Sequence, residues 1–247
     1  MPNSVKSLAK EIGADKYIIC GNGTFIYDLQ KEKNIYDAFL EKSKVLEIIK
    51  ICEENSIYYN VYTEDSVLTK TLSYNALFYD NENSKKPIEK RTNINIVEDI
   101  YRYVEENSKI NILKMTICDS DKIIFSSILK KLKMIPKIDI LEVEHMSRKS
   151  IKKGSVDISL EYFYTEITKE NTNKWTAIEF LIQELGIKKE EVMAIGDNAN
   201  DREMVENAGL GVAMGNSMLQ ANKIGDIFVG DNNQNGVAEA INKYIDN

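Results

Sequence analysis

The sequence predicts an α/β protein: a Rossmann-like, mostly parallel sheet domain into which a mixed α+β region is inserted. Two observations carry that expectation. Both ends of the chain alternate short apolar runs, glycines and amphipathic helical stretches, the pattern of parallel strands joined by crossover helices. The middle, from about residue 30 to 165, lacks that alternation. The expected division is a core of residues 1–29 and 166–247 with an inserted domain of residues 30–165.

The elements follow in order. Residues 5–12 read as a helix stopped by Gly13, and residues 17–20 as a buried strand ending at Gly21-Asn22-Gly23. Extended chain resumes at 25–27. In the inserted region, Val45, Ile48, Ile49 and Cys52 mark an amphipathic helix. Residues 58–62 and 67–71 form a hairpin, and Tyr58, Tyr59 and Tyr62 on it are candidates to line a ligand site. Aromatics at strand spacing are more often core. Polar residues 81–92, with Pro87, read as a loop. Helix 97–104, strand 110–117, helix 123–132 and strands 138–143 and 156–164 complete the insertion. A helix at 175–185 then presents Ile178, Leu181, Ile182 and Leu185 on one face and stops at Gly186. Strands at 192–195, 210–213 and 227–229, a short helix around Leu219 and a last helix at 237–245 finish the core.

Composition narrows the function. The chain has 247 residues and a formal net charge of −7, which argues against a general nucleic-acid partner. No apolar run is long enough for a membrane span, and residues 1–13 do not read as a signal segment. Cys20, Cys52 and Cys118 are odd in number and lack CxxC spacing, as expected of a reducing cytoplasm. His145 is the single histidine, which excludes multi-histidine zinc sites.

Residues 192–215, VMAIGDNANDREMVENAGLGVAMG, concentrate the chemistry. An apolar strand breaks at Gly196 and delivers Asp197, Asn200 and Asp201 to the carboxyl edge of the sheet. Two carboxylates and a carboxamide there suit Mg²⁺ beside a phosphate. A polar turn with a helix cap explains one of the acids but not all three groups.

The run GDNANDREM, preceded by NKWTAIEFLIQELGIKKEEV and followed by AGLGVAMGNS and DNNQNGVAEAI, resembles the haloacid dehalogenase superfamily. Within it the likeness is to the Cof-type branch, Mg²⁺-dependent phosphatases with an α/β cap inserted into the core. The early segment GADKYIICGNGTFIYD resembles the strand and Asn-Gly turn that precede the cap. The resemblance implies a Mg²⁺ cofactor and a small phosphorylated metabolite as substrate. It places the phosphate-neutralising lysine on Lys174, the direct metal ligand on Asp197 and a phosphate contact on Asn200. Asp201 becomes the second acid, supporting metal or lysine. A lysine in the first turn of a helix opposes the macrodipole, so a nearby anion would justify Lys174; a solvated surface lysine is the plainer reading. Asn22 falls near the family's phosphate turn, although Asn-Gly is also simply a good turn.

One departure is as informative. The family opens with Asp-x-Asp-Gly-Thr, whose first Asp attacks phosphorus and whose second serves as general acid and base. Residues 1–13 hold nothing of the kind. The nucleophile segment is expected to be missing, the chain as it stands inactive, and a strand edge left open to self-association. The only Asp-x-Asp is Asp119-Ser120-Asp121, in which Asp119 or Ser120 is expected to cap the following helix. A non-catalytic relative binding a phosphorylated ligand or a protein, and a fragment of a sugar-phosphate mutase, stay open as alternatives.

Overall fold

The computed structural model describes residues 2–14, 16–141, 146–153 and 156–245. His145 and the end of the strand expected at 138–143 lie outside them. The chain divides into two compact units, Met1–Asn171 and Thr172–Asn247.

The first unit opens with helix α1 (Pro2–Glu11) and an antiparallel meander, β1 (Tyr17–Cys20), β2 (Phe25–Asp28) and β3 (Lys33–Asp37). Residues 17–20 were expected in a parallel sheet; instead they pair antiparallel with β2. The reason is local. Gly21, Asn22 and Gly23 all adopt positive φ (62°, 62° and 97°), which folds the chain straight back on itself.

A seven-stranded sheet follows, built from β4 (Tyr58–Thr63), β5 (Val67–Thr69), β6 (Ile94–Ile96), β7 (Ile112–Asp119), β8 (Ile138–Leu141), β9 (Ser147–Lys153) and β10 (Val156–Lys169). The order is β6-β5-β4-β7-β10-β8, with β9 also on β10, and only β5–β6 is parallel. Its helices are α2 (Lys42–Glu54), α3 (Tyr74–Ser84), α4 (Ile100–Glu106) and α5 (Lys122–Leu132).

Period-two alternation gives the sheet two unlike faces. Tyr59, Val61, Met115, Ile117 and Ile167 join Val45, Ile48 and Ile49 of α2 and Phe125, Ile128 and Leu132 of α5 in the main core. Each such side chain contributes about 1.5–3 kcal/mol by leaving water. The register sets Asn60, Thr116 and Glu166 side by side on the opposite face, with Tyr58, Cys118 and Tyr164 in the next row. The tyrosines of the hairpin therefore part company: Tyr59 joins the main core, while Tyr58 and Tyr62 face the other way, where Tyr62 is buried in a second core with Phe25, Val67 and Leu113.

The region expected to be a loop from residue 81 is corrected in part, since α3 runs through Ser84 and a 3-10 turn spans Ile88–Lys90. Only Asn75 and Ala76 of α3 are buried, so no apolar stripe marks the helix in sequence. Ring contacts hold it instead: Tyr74 lies 5.2 Å from both Tyr58 and Tyr162, and the Tyr162 hydroxyl donates to Asn75.

The second unit is a three-stranded parallel sheet, β11 (Met193–Gly196), β12 (Leu210–Met214) and β13 (Ile227–Val229), in the order β11-β12-β13. Its helices are α6 (Lys174–Leu185), α7 (Arg202–Asn207), α8 (Met218–Ala221) and α9 (Gly236–Tyr244). Gly186 ends α6 at φ 66°, as expected. The buried residues of α6 are Trp175 and Ala177, whereas Leu185 of the anticipated face is 39% exposed. A three-stranded sheet offers a helix little apolar surface. Among the described residues β12 is the sole strand partner of β11.

No helix of the described residues is long and apolar enough to cross a membrane.

Candidate functional site

The second unit brings Lys174, Asp197, Asn200 and Asp201 onto neighbouring elements. β11 ends at Gly196 and hands over to Asp197, and a 3-10 turn, Ala199–Asp201, leads into α7. Gly196 is needed for close approach: a Cβ there would lie 2.4 Å from Asp201 Cβ and 3.0 Å from Val205 Cγ2.

That approach lets Asp201 fold back under the loop. Its Oδ2 accepts from the backbone N–H of Asp197 at 3.1 Å and of Asn198 at 3.0 Å, and its Oδ1 accepts from Lys174 Nζ. Asp201 is 3% exposed, so its charge is out of water and matched on both oxygens.

Lys174 is the first residue of α6, whose start is fixed by a capping box. Asn173 Oδ1 accepts from Thr176 N at 2.9 Å, and Asn173 N donates to Thr176 Oγ1 at 3.1 Å. An ammonium at a helix N-terminus is opposed by the macrodipole, and the buried Asp201 offsets this. Lys174 has three donors, and its bond to Asp201 takes one of them. Its side chain is 31% exposed, so the head group can be approached.

Asp197 is half-buried. Burial raises its carboxyl above the usual carboxylate range, and the negative charge of Asp201 pushes the same way. A cation beside Asp197 would relieve both effects. The donors are oxygen, which suits a hard cation. Asp201 is already engaged, and no cluster of three His, Cys, Asp or Glu side chains occurs among the described residues. The set therefore fits a mostly hydrated Mg²⁺ held by one carboxylate, Asp197, with Asp201 behind it.

Asn22 stands in the first unit. Its carboxamide donates to Glu166, which also accepts from Lys114 Nζ at 2.7 Å. Sequence reading missed Glu166 and Lys114, because nothing local in β7 or β10 marks them; their register in the sheet does. Asn173-x-x-Thr176, by contrast, was a readable capping signal for the helix that carries Lys174.

The Asp119-Ser120-Asp121 segment is a helix cap. Asp121 Oδ1 accepts from Ile123 N at 2.7 Å and Ile124 N at 3.0 Å, and Asp119 Oδ1 accepts from Asp121 N at 2.7 Å. The capping residue is Asp121 rather than Asp119 or Ser120.

Comparison with known proteins bears on this arrangement. YxeH of Bacillus subtilis is 35% identical over 119 residues, 45% of this chain and 44% of YxeH, so that alignment spans less than half of the relative. Phosphatase YwpJ of the same organism is 24% identical over 257 residues, covering 98% of this chain and 84% of YwpJ. A haloacid dehalogenase-like hydrolase structure from B. subtilis matches with a TM-score of 0.76 at 20% identity, covering 98% of this chain and 84% of that one. At that identity the likeness speaks for the fold. The model of the haloacid dehalogenase-like hydrolase family matches residues 1–241, and this chain belongs to that family.

Proposed function

We propose that this chain carries the phosphate- and metal-binding half of a Mg²⁺-dependent phosphohydrolase site acting on a small phosphorylated metabolite. The observation that carries the reading is the Lys174–Asp201–Asp197 cluster at the carboxyl end of β11. Lys174 binds a phosphate oxygen while Asp201 holds the ammonium in place. Asn200 adds a contact from the turn. Asp197 holds Mg²⁺, which when bound supplies charge stabilisation at phosphorus. Residues 30–165 act as the cap that selects the substrate, over a core of 1–29 and 166–247. The phosphatase name of YwpJ supports this substrate class.

The sequence contains no Asp-x-Asp-Gly-Thr, and its one Asp-x-Asp caps α5. Neither Lys174 nor Asp197 replaces an attacking carboxylate, so this chain alone binds phosphate without turning it over. The same observation favours a second reading, a phosphate-binding relative with no catalytic role.

Two measurements on the full chain test the proposal. Calorimetry with inorganic phosphate in millimolar Mg²⁺ is expected to show binding that Lys174→Met weakens about tenfold, the value of one charge-assisted hydrogen bond. A phosphate-release assay over a panel of phosphate monoesters is expected to show no turnover. Metal-dependent release by the wild type that Asp121→Asn abolishes would sink the proposal and make Asp121 part of a catalytic site.

A further inference from the structure

Lys149 of β9 is half-buried, and its Nζ lies 4.3 Å from the Phe78 ring centroid and 5.9 Å from that of Tyr79, both on α3. Among the described residues no carboxylate and no hydrogen-bond acceptor meets it. That is a costly place for a cation. Two ring faces return only part of what drawing an ammonium partly out of water costs. Burial lowers its pKa; Cys118 and Glu166 oppose that, and Lys114 adds to it.

The described residues around it do not supply an anion. Glu166, the carboxylate on this sheet face, already accepts from Lys114 and Asn22. Lys114 Nζ lies 5.1 Å from the Tyr62 ring centroid, and Tyr62 meets Tyr79 edge-on at 6.4 Å. Among the described residues, two ammonium groups thus lie by one set of aromatic walls, and the one carboxylate there, Glu166, is taken by Lys114 and Asn22.

We propose that Lys149, with Lys114 behind it and Phe78 and Tyr79 as walls, is a subsite for the oxyanion of a small ligand, a carboxylate or a phosphate. The site lies wholly in the first unit, within residues 30–165 read above as the substrate-selecting cap, so it deepens that reading, while it shares no residue with the Lys174 cluster and is tested apart from it. An incoming oxyanion meets the ammonium donors of Lys149, and the aromatic walls strengthen the attraction by excluding water.

The test follows inorganic phosphate by ¹H–¹⁵N NMR of the full chain, read at the backbone amides of Phe78, Tyr79 and Lys149. Those signals are expected to move saturably in the wild type and with the same dissociation constant in Lys174→Met. In Lys149→Met, which keeps the stem and removes the charge, the affinity read there falls at least about tenfold. Without phosphate, Lys149→Met is expected to melt no lower than the wild type, because an unmatched ammonium is gone. Signals that stay still, or that move equally in Lys149→Met, overturn the inference. So does a Lys149→Met chain that melts well below the wild type, which would make the lysine a structural prop. Loss at these amides in Lys149→Met alone leaves the Lys174 site untouched, and loss of phosphate binding in Lys174→Met with these amides unmoved does the reverse.

Discussion

Asp201 has both carboxylate oxygens committed inside the fold, to one ammonium and two backbone N–H groups. Replacing it with alanine leaves those part-buried donors without their carboxylate, at a cost of about 1–3 kcal/mol. Urea unfolding of Asp201→Ala against the wild type measures this, and a loss below about 0.5 kcal/mol would mean the bonds are not made in solution. Asp197 has the opposite sign. Its folded-state pKa is raised by burial and then by Asp201, so folding favours the protonated form. Its stabilising contribution is therefore full below the ordinary carboxylate pKa of about 4 and is lost as pH rises through the raised value. Asp197→Asn removes that loss. In metal-free buffer the variant is expected to melt above the wild type at pH 7, with the gap closing as pH falls toward 4. A variant that melts lower at pH 7 would contradict this. The cluster was legible in sequence because strand, glycine, polar loop and helix are consecutive; Lys174, 27 positions from Asp201, needed the family resemblance. Lys149 was not legible, since Phe78 and Tyr79 sit on a helix that has no apolar stripe.

At the scale of elements, most of the helices and strands of the sheet region followed from apolar periodicity, with boundaries moved by up to five residues, the largest at the end of β10, which runs to Lys169. Helix α4, expected from residue 97, begins at Ile100 with Asp99 as its cap, whose side chain accepts from Arg102 N. The Asn-Gly turn was legible too, but its consequence was misjudged. A four-residue connection closes an antiparallel hairpin at less entropic cost than any crossover, so β1 pairs with β2. β11 shows the counterpart. A parallel strand paired by β12 alone among the described residues leaves backbone N–H and C=O groups along its other edge for a further strand. Concentration-dependent association is expected, seen by light scattering on size-exclusion fractions as a mass that rises with loading. One monomer mass from micromolar to near-millimolar loading would count against an open edge.

For the whole molecule, membership of the haloacid dehalogenase-like hydrolases stands beside a sequence without Asp-x-Asp-Gly-Thr, and the function proposed above assigns phosphate and metal to the Lys174–Asp201–Asp197 cluster. Under that proposal one uncommitted carboxylate, Asp197, makes the metal site weak, because Mg²⁺ keeps most of its waters and gains little from a single ligand. Affinity in the millimolar range is expected, and phosphate binding should add to it through Lys174. The direct measurement is a ¹H–¹⁵N NMR titration of the full chain, first with Mg²⁺ and then with inorganic phosphate, read at Lys174, Asp197 and Asn198. Mg²⁺ should move the Asp197 and Asn198 amides with millimolar affinity in the wild type and not in Asp197→Ala, and phosphate should then move Lys174. Submillimolar Mg²⁺ binding that persists in Asp197→Ala, or phosphate shifts that leave all three residues still, would show that the metal and phosphate site lies elsewhere.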